Sequence, residues 1–124
     1  MFDFLFKKRS PRKMSARPID NSYHVTGQIS PESVASIKDA GYSMIICMRP
    51  DNEGFGQPAF AEIKAQADAA GIPAHYLPVV PGSQPMPQAA ELKKLLKGTS
   101  GPVLAYCASG NRCAMVYQLS QQVG

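Results

Sequence analysis

Short continuous apolar runs alternate along this chain with stretches in which apolar residues recur every three or four positions, the signature of strands interleaved with helices. His24-Val25-Thr26-Gly27-Gln28 reads as a first short strand. Ser30-Pro31-Glu32 is a helix start, with Ser as N-cap, Pro at the first helical position and a carboxylate near the positive helix end. Val34, Ile37 and Ala40 then share one face, and Gly41 stops the helix. Tyr42 to Met48 is an almost unbroken apolar run, the pattern of a strand covered on both faces. Pro58 opens a second helix whose Phe60, Ile63, Ala67 and Ala70 are spaced for burial, closed by Gly71. Ala74 to Val80 predicts another strand, and Ala89, Leu92, Leu95 and Leu96 a third helix ended by Gly98. Pro102 to Tyr106 predicts a last buried strand, followed by a helix from Arg112 to about Gln121.

Strands separated by helices imply right-handed crossovers and a mostly parallel sheet with helices on both faces. Ligands of such sheets sit at the carboxyl ends of the strands. That rule gathers three loops on one edge: 49–57, 81–86 and 107–112.

With 124 residues the chain fits one domain. No apolar run approaches the roughly 18–20 residues of a membrane span, and the apolar opening before Lys7-Lys8-Arg9 is too short for a signal peptide. Three cysteines without framework spacing argue against a disulfide scaffold and for a reducing, cytoplasmic setting. The net charge of +4 is unevenly placed. Lys7, Lys8, Arg9, Arg12, Lys13 and Arg17 supply six of the thirteen basic residues, against one acid, Asp3. The rest carries seven basic and eight acidic side chains, a net of −1. Residues 1–18 therefore read as a basic, flexible tail and 19–124 as the α/β domain. The tail suits weak contact with an anionic membrane, although a solvated extension is the simpler reading. Nucleic-acid binding is not expected, because the folded part lacks a basic patch with interleaved aromatics.

Chemistry concentrates in Cys107-Ala108-Ser109-Gly110-Asn111-Arg112, which joins a buried strand directly to a helix. A thiol at a helix N-terminus meets unpaired amides and the positive dipole end, which favour thiolate. Gly110 lets the backbone curl so that successive N–H groups form an anion nest. Arg112 adds a fork-shaped permanent charge suited to an oxyanion, and Ser109 a hydroxyl donor. His24 and His75 lack metal-ligand spacing, and neither a metal nor another cofactor is expected.

The order of elements, with Gly27-Gln28, Ile45 to Asp51, Ala70-Gly71-Ile72, Pro78-Val79 and the run Gly101 to Arg112, resembles the bacterial beta-lactamase-hydrolase-like, phosphatase-like domains. The resemblance covers about residues 19–124 and implies the tyrosine/dual-specificity phosphatase fold, a three-layer arrangement with a mostly parallel sheet of four to five strands. It further implies a Cys107 nucleophile that forms a phosphocysteine. The phosphate would be held by Ala108, Ser109, Gly110 and Asn111 together with Arg112.

Several positions depart from the phosphatase pattern. Four residues separate Cys107 from Arg112 where phosphatases have five, and the six-residue loop matches that of rhodanese-type sulfurtransferases. Tyr106 replaces the usual His. Residues 79–86, the general-acid loop by correspondence, contain no Asp or Glu. Asp51, with Glu53 behind it, is the substitute acid, and a turn cap is an equal reading for Asp51. Arg49 is a second substrate-binding charge or a partner for Asp51. Ala108 stands where relatives often carry Arg. Cys113 occupies the usual Ser/Thr position after the Arg; it and Cys47 are redox partners for Cys107 or small buried hydrophobes.

The expected function is cysteine-dependent hydrolysis of phosphate esters, on a small molecule or a protein. The alternatives are a rhodanese-like sulfurtransferase taking sulfur from a donor onto Cys107, and a weakly active phosphate-binding or redox-sensing module.

Overall fold

The structure, a computed structural model, describes residues 16–122. Its strands are β1 (Arg17–Asp20), β2 (Tyr23–Thr26), β3 (Met44–Cys47), β4 (Ala74–Tyr76) and β5 (Val103–Tyr106). The helices are α1 (Val34–Asp39), α2 (Phe60–Ala70), α3 (Met86–Lys97) and α4 (Asn111–Ser120), with a 3₁₀ turn over Pro31–Ser33 leading into α1. The strands form one five-stranded sheet in the order β1-β2-β5-β3-β4. All neighbours run parallel except β1, which pairs antiparallel with β2.

Side-chain alternation along the central strands explains why their sequences look uniformly apolar. On one face Val25, Met44, Ile46, Val103 and Ala105 pack with Ala89 and Leu92 of α3 and with Cys113 and Val116 of α4. On the other, Ile45, Cys47, Ala74, Leu104 and Tyr106 pack with Val34 and Ile37 of α1 and Ile63 and Ala67 of α2. Both faces are covered, giving the three expected layers.

Element ends depart from the sequence reading where polar chemistry decides them. The first helix opens as a 3₁₀ turn, and Ser30 makes no side-chain cap. Pro58 lies before the second helix, which begins at Phe60. There the Phe60 amide donates to Asp51 Oδ1 at 2.8 Å, and the Ala59 amide to Glu62 Oε2 at 3.2 Å. These acceptors satisfy orphan amides that no N-cap side chain reaches. At its far end Gly71 takes φ 78°, and the Ile72 amide closes the helix on the Ala67 carbonyl at 3.0 Å. Strand β4 stops at Tyr76 because Pro78 has no N–H to offer, yet the Leu77 and Val79 amides still donate to the Cys47 and Met48 carbonyls at 2.7 and 3.0 Å.

Strand β1 was not anticipated. It takes in Arg17 and Pro18, which the sequence reading assigns to the tail, and shows a register shift between Pro18 and Asp20. An exposed edge strand carries no apolar alternation to reveal it, and Pro is tolerated there. The other basic tail residues, Lys7 to Lys13, lie outside the described residues. Among the described residues no helix is long and apolar enough to cross a membrane.

Ile46 is fully buried at the centre of this sheet. Ile46→Ala is expected to cost about 2–5 kcal/mol. In urea titration the midpoint should fall with an unchanged slope; an unchanged midpoint would contradict the packing described.

Candidate active site

Strand β5 ends where its neighbours hold it, and Cys107 is the next residue. Its amide donates to the Thr26 carbonyl at the end of β2, at 3.2 Å. From there three residues, Ala108 to Gly110, lead into α4. Gly110, at φ 93°, turns the chain so that its amide donates to Cys107 Sγ at 3.0 Å. A Cβ at Gly110 would meet Arg17 Nη2 at 3.0 Å and Val25 Cγ2 at 3.3 Å, so both conformation and space call for glycine. Gly27 matters equally, because a Cβ there would stand 2.9 Å from the Ala108 carbonyl oxygen. The loop thus lies flush against the end of β2. Arg17 Nη2 donates to Asn111 Oδ1 at 3.3 Å, and the Asn111 amide to Ser109 Oγ at 3.3 Å.

Cys107 has no exposed surface. Its pKa is nonetheless lowered to about 4, chiefly by a hydrogen bond from the Cys113 thiol. Burial opposes this shift, and the amides of Cys113, Ser109 and Gly110 reinforce it. The Cys113 thiol moves the other way, pushed up by burial and by its bond to Cys107. Tyr23 fixes the start of α4, its hydroxyl donating to the Cys113 carbonyl at 3.0 Å while its ring stacks on Tyr117 at 4.4 Å. The hydroxyl of Tyr117 in turn donates to Asp20.

The Arg112 guanidinium is engaged elsewhere. It forks onto Glu53, with Nη1–Oε2 at 2.7 Å and Nη2–Oε1 at 2.8 Å, and Nη1 also donates to the Val79 carbonyl at 2.9 Å. Glu53 Oε1 accepts a further bond from Arg49 Nε at 2.9 Å, and Arg49 Nη1 reaches Gln28 Oε1 at 3.1 Å. The Arg112 bond holds the Glu53 carboxyl below its usual range against the opposing effect of burial, with Arg49 adding to it. Glu53 is therefore an ionised anion between two guanidinium groups.

Of the residues singled out in the sequence, Ala108, Ser109, Gly110 and Asn111 form the loop beside Cys107, and Arg112 and Arg49 converge on Glu53. Arg49 pairs with Glu53. Asp51 spends Oδ1 on the Phe60 amide, and its own amide donates to the Tyr76 hydroxyl at 3.0 Å. It shapes the 49–57 loop. Cys47 lies on the opposite face of the sheet, its thiol donating to the Arg49 carbonyl at 3.3 Å. The bridging role of Glu53 and the Tyr23 anchor were missed. Neither has a local sequence signal, since both depend on contacts between residues far apart in the chain. Among the described residues no three His, Cys, Asp or Glu side chains gather as a metal-ligand set.

The site is thus a thiol set in a curled loop between a parallel strand and a helix of an α/β protein whose sheet is covered on both faces. Residues 15–124 match the family described as "Beta-lactamase hydrolase-like protein, phosphatase-like domain", and the chain belongs to that family. A beta-lactamase hydrolase-like protein of Xylella fastidiosa is 30% identical over 105 residues, covering 85% of this chain and 24% of that protein. The chain thus spans about a quarter of the length of such curated relatives. A candidate phosphatase from Neisseria meningitidis shares 32% identity and a TM-score of 0.71 over 79% of this chain and 70% of its own. TpbA of Pseudomonas aeruginosa, solved in complex with phosphotyrosine, shares the fold, with a TM-score of 0.63 at 16% identity over 94% of this chain and 68% of its own.

Two measurements test the loop. The ultraviolet thiolate absorbance of the protein minus that of Cys107→Ser should persist through mildly acidic pH and vanish as pH falls through about 4. Loss near about 8.5, where an ordinary thiol titrates, would refute the donor arrangement. Gly110→Ala should lower stability by about 1–3 kcal/mol in thermal melts, from left-handed strain and crowding; an unchanged melt would mean that the turn relaxes freely.

Proposed function

We propose that Cys107 is the nucleophile of a phosphatase-like hydrolase that acts on phosphate esters through a phosphocysteine. The observation that carries this reading is the Gly110 amide directed at Cys107 Sγ from the start of α4, an arrangement that keeps the sulfur ionised and nucleophilic. The thiolate would attack phosphorus, the ester oxygen would leave, and water would then release phosphate from the sulfur. Amides of residues 108–112 are suited to the non-bridging oxygens. Arg112 would exchange Glu53 for the incoming anion, with Arg49 as a second charge. The free thiols suit a reducing compartment.

The leaving group narrows the substrate. Glu53 is held ionised and Asp51 is committed to α2, so neither offers a ready proton to a departing alkoxide. Esters of acidic alcohols, aryl phosphates above all, fit best. The same observation, together with the four-residue spacing from Cys107 to Arg112, supports a second reading. Attack on the outer sulfur of thiosulfate would expel sulfite, a stable anion that needs no proton, and leave a persulfide on Cys107.

Side-by-side turnover of an aryl phosphate and of thiosulfate with cyanide separates the two. Under the first reading phosphate is released, Cys107→Ser abolishes release, and Arg112→Ala lowers kcat/KM by about 10²-fold or more. Thiocyanate without phosphate would replace hydrolysis by sulfur transfer. Activity surviving in Cys107→Ser would dismiss both.

A further inference from the structure

Apolar side chains scattered singly over a surface need no explanation, but a set gathered at one place does. Among the described residues five large apolar side chains stand exposed: Phe55, Tyr76, Val80, Met86 and Met115. All five belong to the carboxyl edge of the sheet. Tyr76 ends β4, Phe55 and Val80 lie in the loops that leave β3 and β4, Met86 is the first residue of α3, and Met115 lies in the second turn of α4. Three of them adjoin the Arg112 guanidinium in sequence. Val80 follows Val79, whose carbonyl accepts from Arg112 Nη1, and Phe55 stands two residues past Glu53. Met115 is one turn beyond Arg112 on the same side of α4.

Phe55 is the extreme case, with a side chain wholly in solvent at 109% exposure. Yet the turn that presents it is not slack. The Gln57 amide donates to the Gly54 carbonyl at 3.3 Å, and Gly56 takes φ 72°, as a type II turn requires of its third residue. The Gln57 side chain staples the base. Its Oε1 accepts from the amides of Glu53 and Gly54 at 3.1 and 2.9 Å, and its Nε2 donates to the Pro50 carbonyl at 2.9 Å. Gly54 is required as well, because a Cβ there would stand 2.5 Å from Arg49 Nη2. One stapled loop therefore carries a carboxylate set between two guanidinium groups and, at its tip, an aromatic ring that forgoes burial.

We propose that Phe55 and Val80 are specificity-determining residues that receive the apolar body of a phosphate monoester whose anionic head is held by Arg112 and the Cys107 loop. The substrate class narrows to esters of apolar alcohols, as against sugar phosphates and other hydrophilic esters. This rests on the phosphate-ester reading above, but not on its leaving-group argument. Acidity of the alcohol governs bond breaking, whereas the collar acts on binding before any bond breaks. A ligand with both parts suits the edge best. A hydrophilic ester would leave the ring in water, and an apolar ligand without a charged head would gain nothing from the guanidinium groups. Met86 and Met115 extend the collar with unbranched side chains that adapt to bodies of different shape.

Calorimetric titration with benzylphosphonate and methylphosphonate, whose phosphorus–carbon bonds are not hydrolysed, tests this without turnover. The wild type should bind the benzyl compound roughly fivefold or more tightly. Phe55→Ala and Val80→Ser should each lower that ratio, and the double variant should abolish it. A ratio of two affinities is unmoved by a general loss of stability. The chain contains no Trp, so Phe55→Trp supplies a single indole whose emission should shift to the blue with benzylphosphonate and not with methylphosphonate. Equal wild-type affinities, or a preference that survives in the double variant, would overturn the collar and leave the phosphate reading standing. Failure of both phosphonates to bind would remove both. Equal affinities with a dimer that Phe55→Ala abolishes in sedimentation would assign the collar to a second copy, and equal affinities with an emission shift on lipid vesicles to a membrane; either result overturns the proposal. A preference that depends on Phe55, in a protein that turns over no phosphate ester, would uphold the collar while removing the catalytic reading.

Discussion

A sulfur anion withdrawn from water persists only where hydrogen-bond donors replace the water it has lost. Cys107 is such a case, and much of the molecule is arranged around it. The donors that face it come from the start of α4, whose first amides have no partner within the helix. They converge because only four residues separate the sulfur from Arg112 and because Gly110 bends the chain through a conformation other residues resist. Gly27 permits the same loop to rest against β2. Four tightly placed residues thus convert a helix start and a strand end into a site for negative charge.

What holds those ends in place is the double-sided packing of the sheet. The α3/α4 layer fixes the face that carries Cys107 and Cys113, and the α1/α2 layer fixes the opposite face beneath the 49–57 loop. At the carboxyl edge the ion pairs of Glu53 and the Arg112 bond to the Val79 carbonyl tie the three strand-end loops to one another. The loops are not independent appendages. A change in any one of them reaches the Arg112 guanidinium through at most a few bonds.

The three-layer α/β class was legible because β3 and β5 are apolar on both faces and the helices between them carry regular apolar spacing. The curled loop around Cys107 was legible because its parts are contiguous: thiol, glycine and arginine lie within six residues. Position was harder than type. Strand β1 escaped because its stability comes from pairing with β2, not from burial of its own side chains. The engagement of Glu53 by Arg112 escaped because 59 positions separate them and only the fold brings them together. For Asp51 the sequence leaves an acid and a turn cap equally open, because the Phe60 amide that its Oδ1 accepts from lies nine positions on.

Glu53 also sets the terms on which anything else can enter. As a resident carboxylate bridging Arg112 and Arg49, it acts as an internal competitor present at high effective concentration. A visiting anion gains only the difference between its own interaction with two guanidinium groups and that of the carboxylate it displaces. Chloride and other singly charged ions gain little by the exchange, whereas a doubly charged group, such as a phosphate monoester or thiosulfate, presents more charge to the same pair of cations. Under the proposed exchange of Glu53 for an incoming anion, the ion-pair network would act as a filter by valence, needing no steric gate.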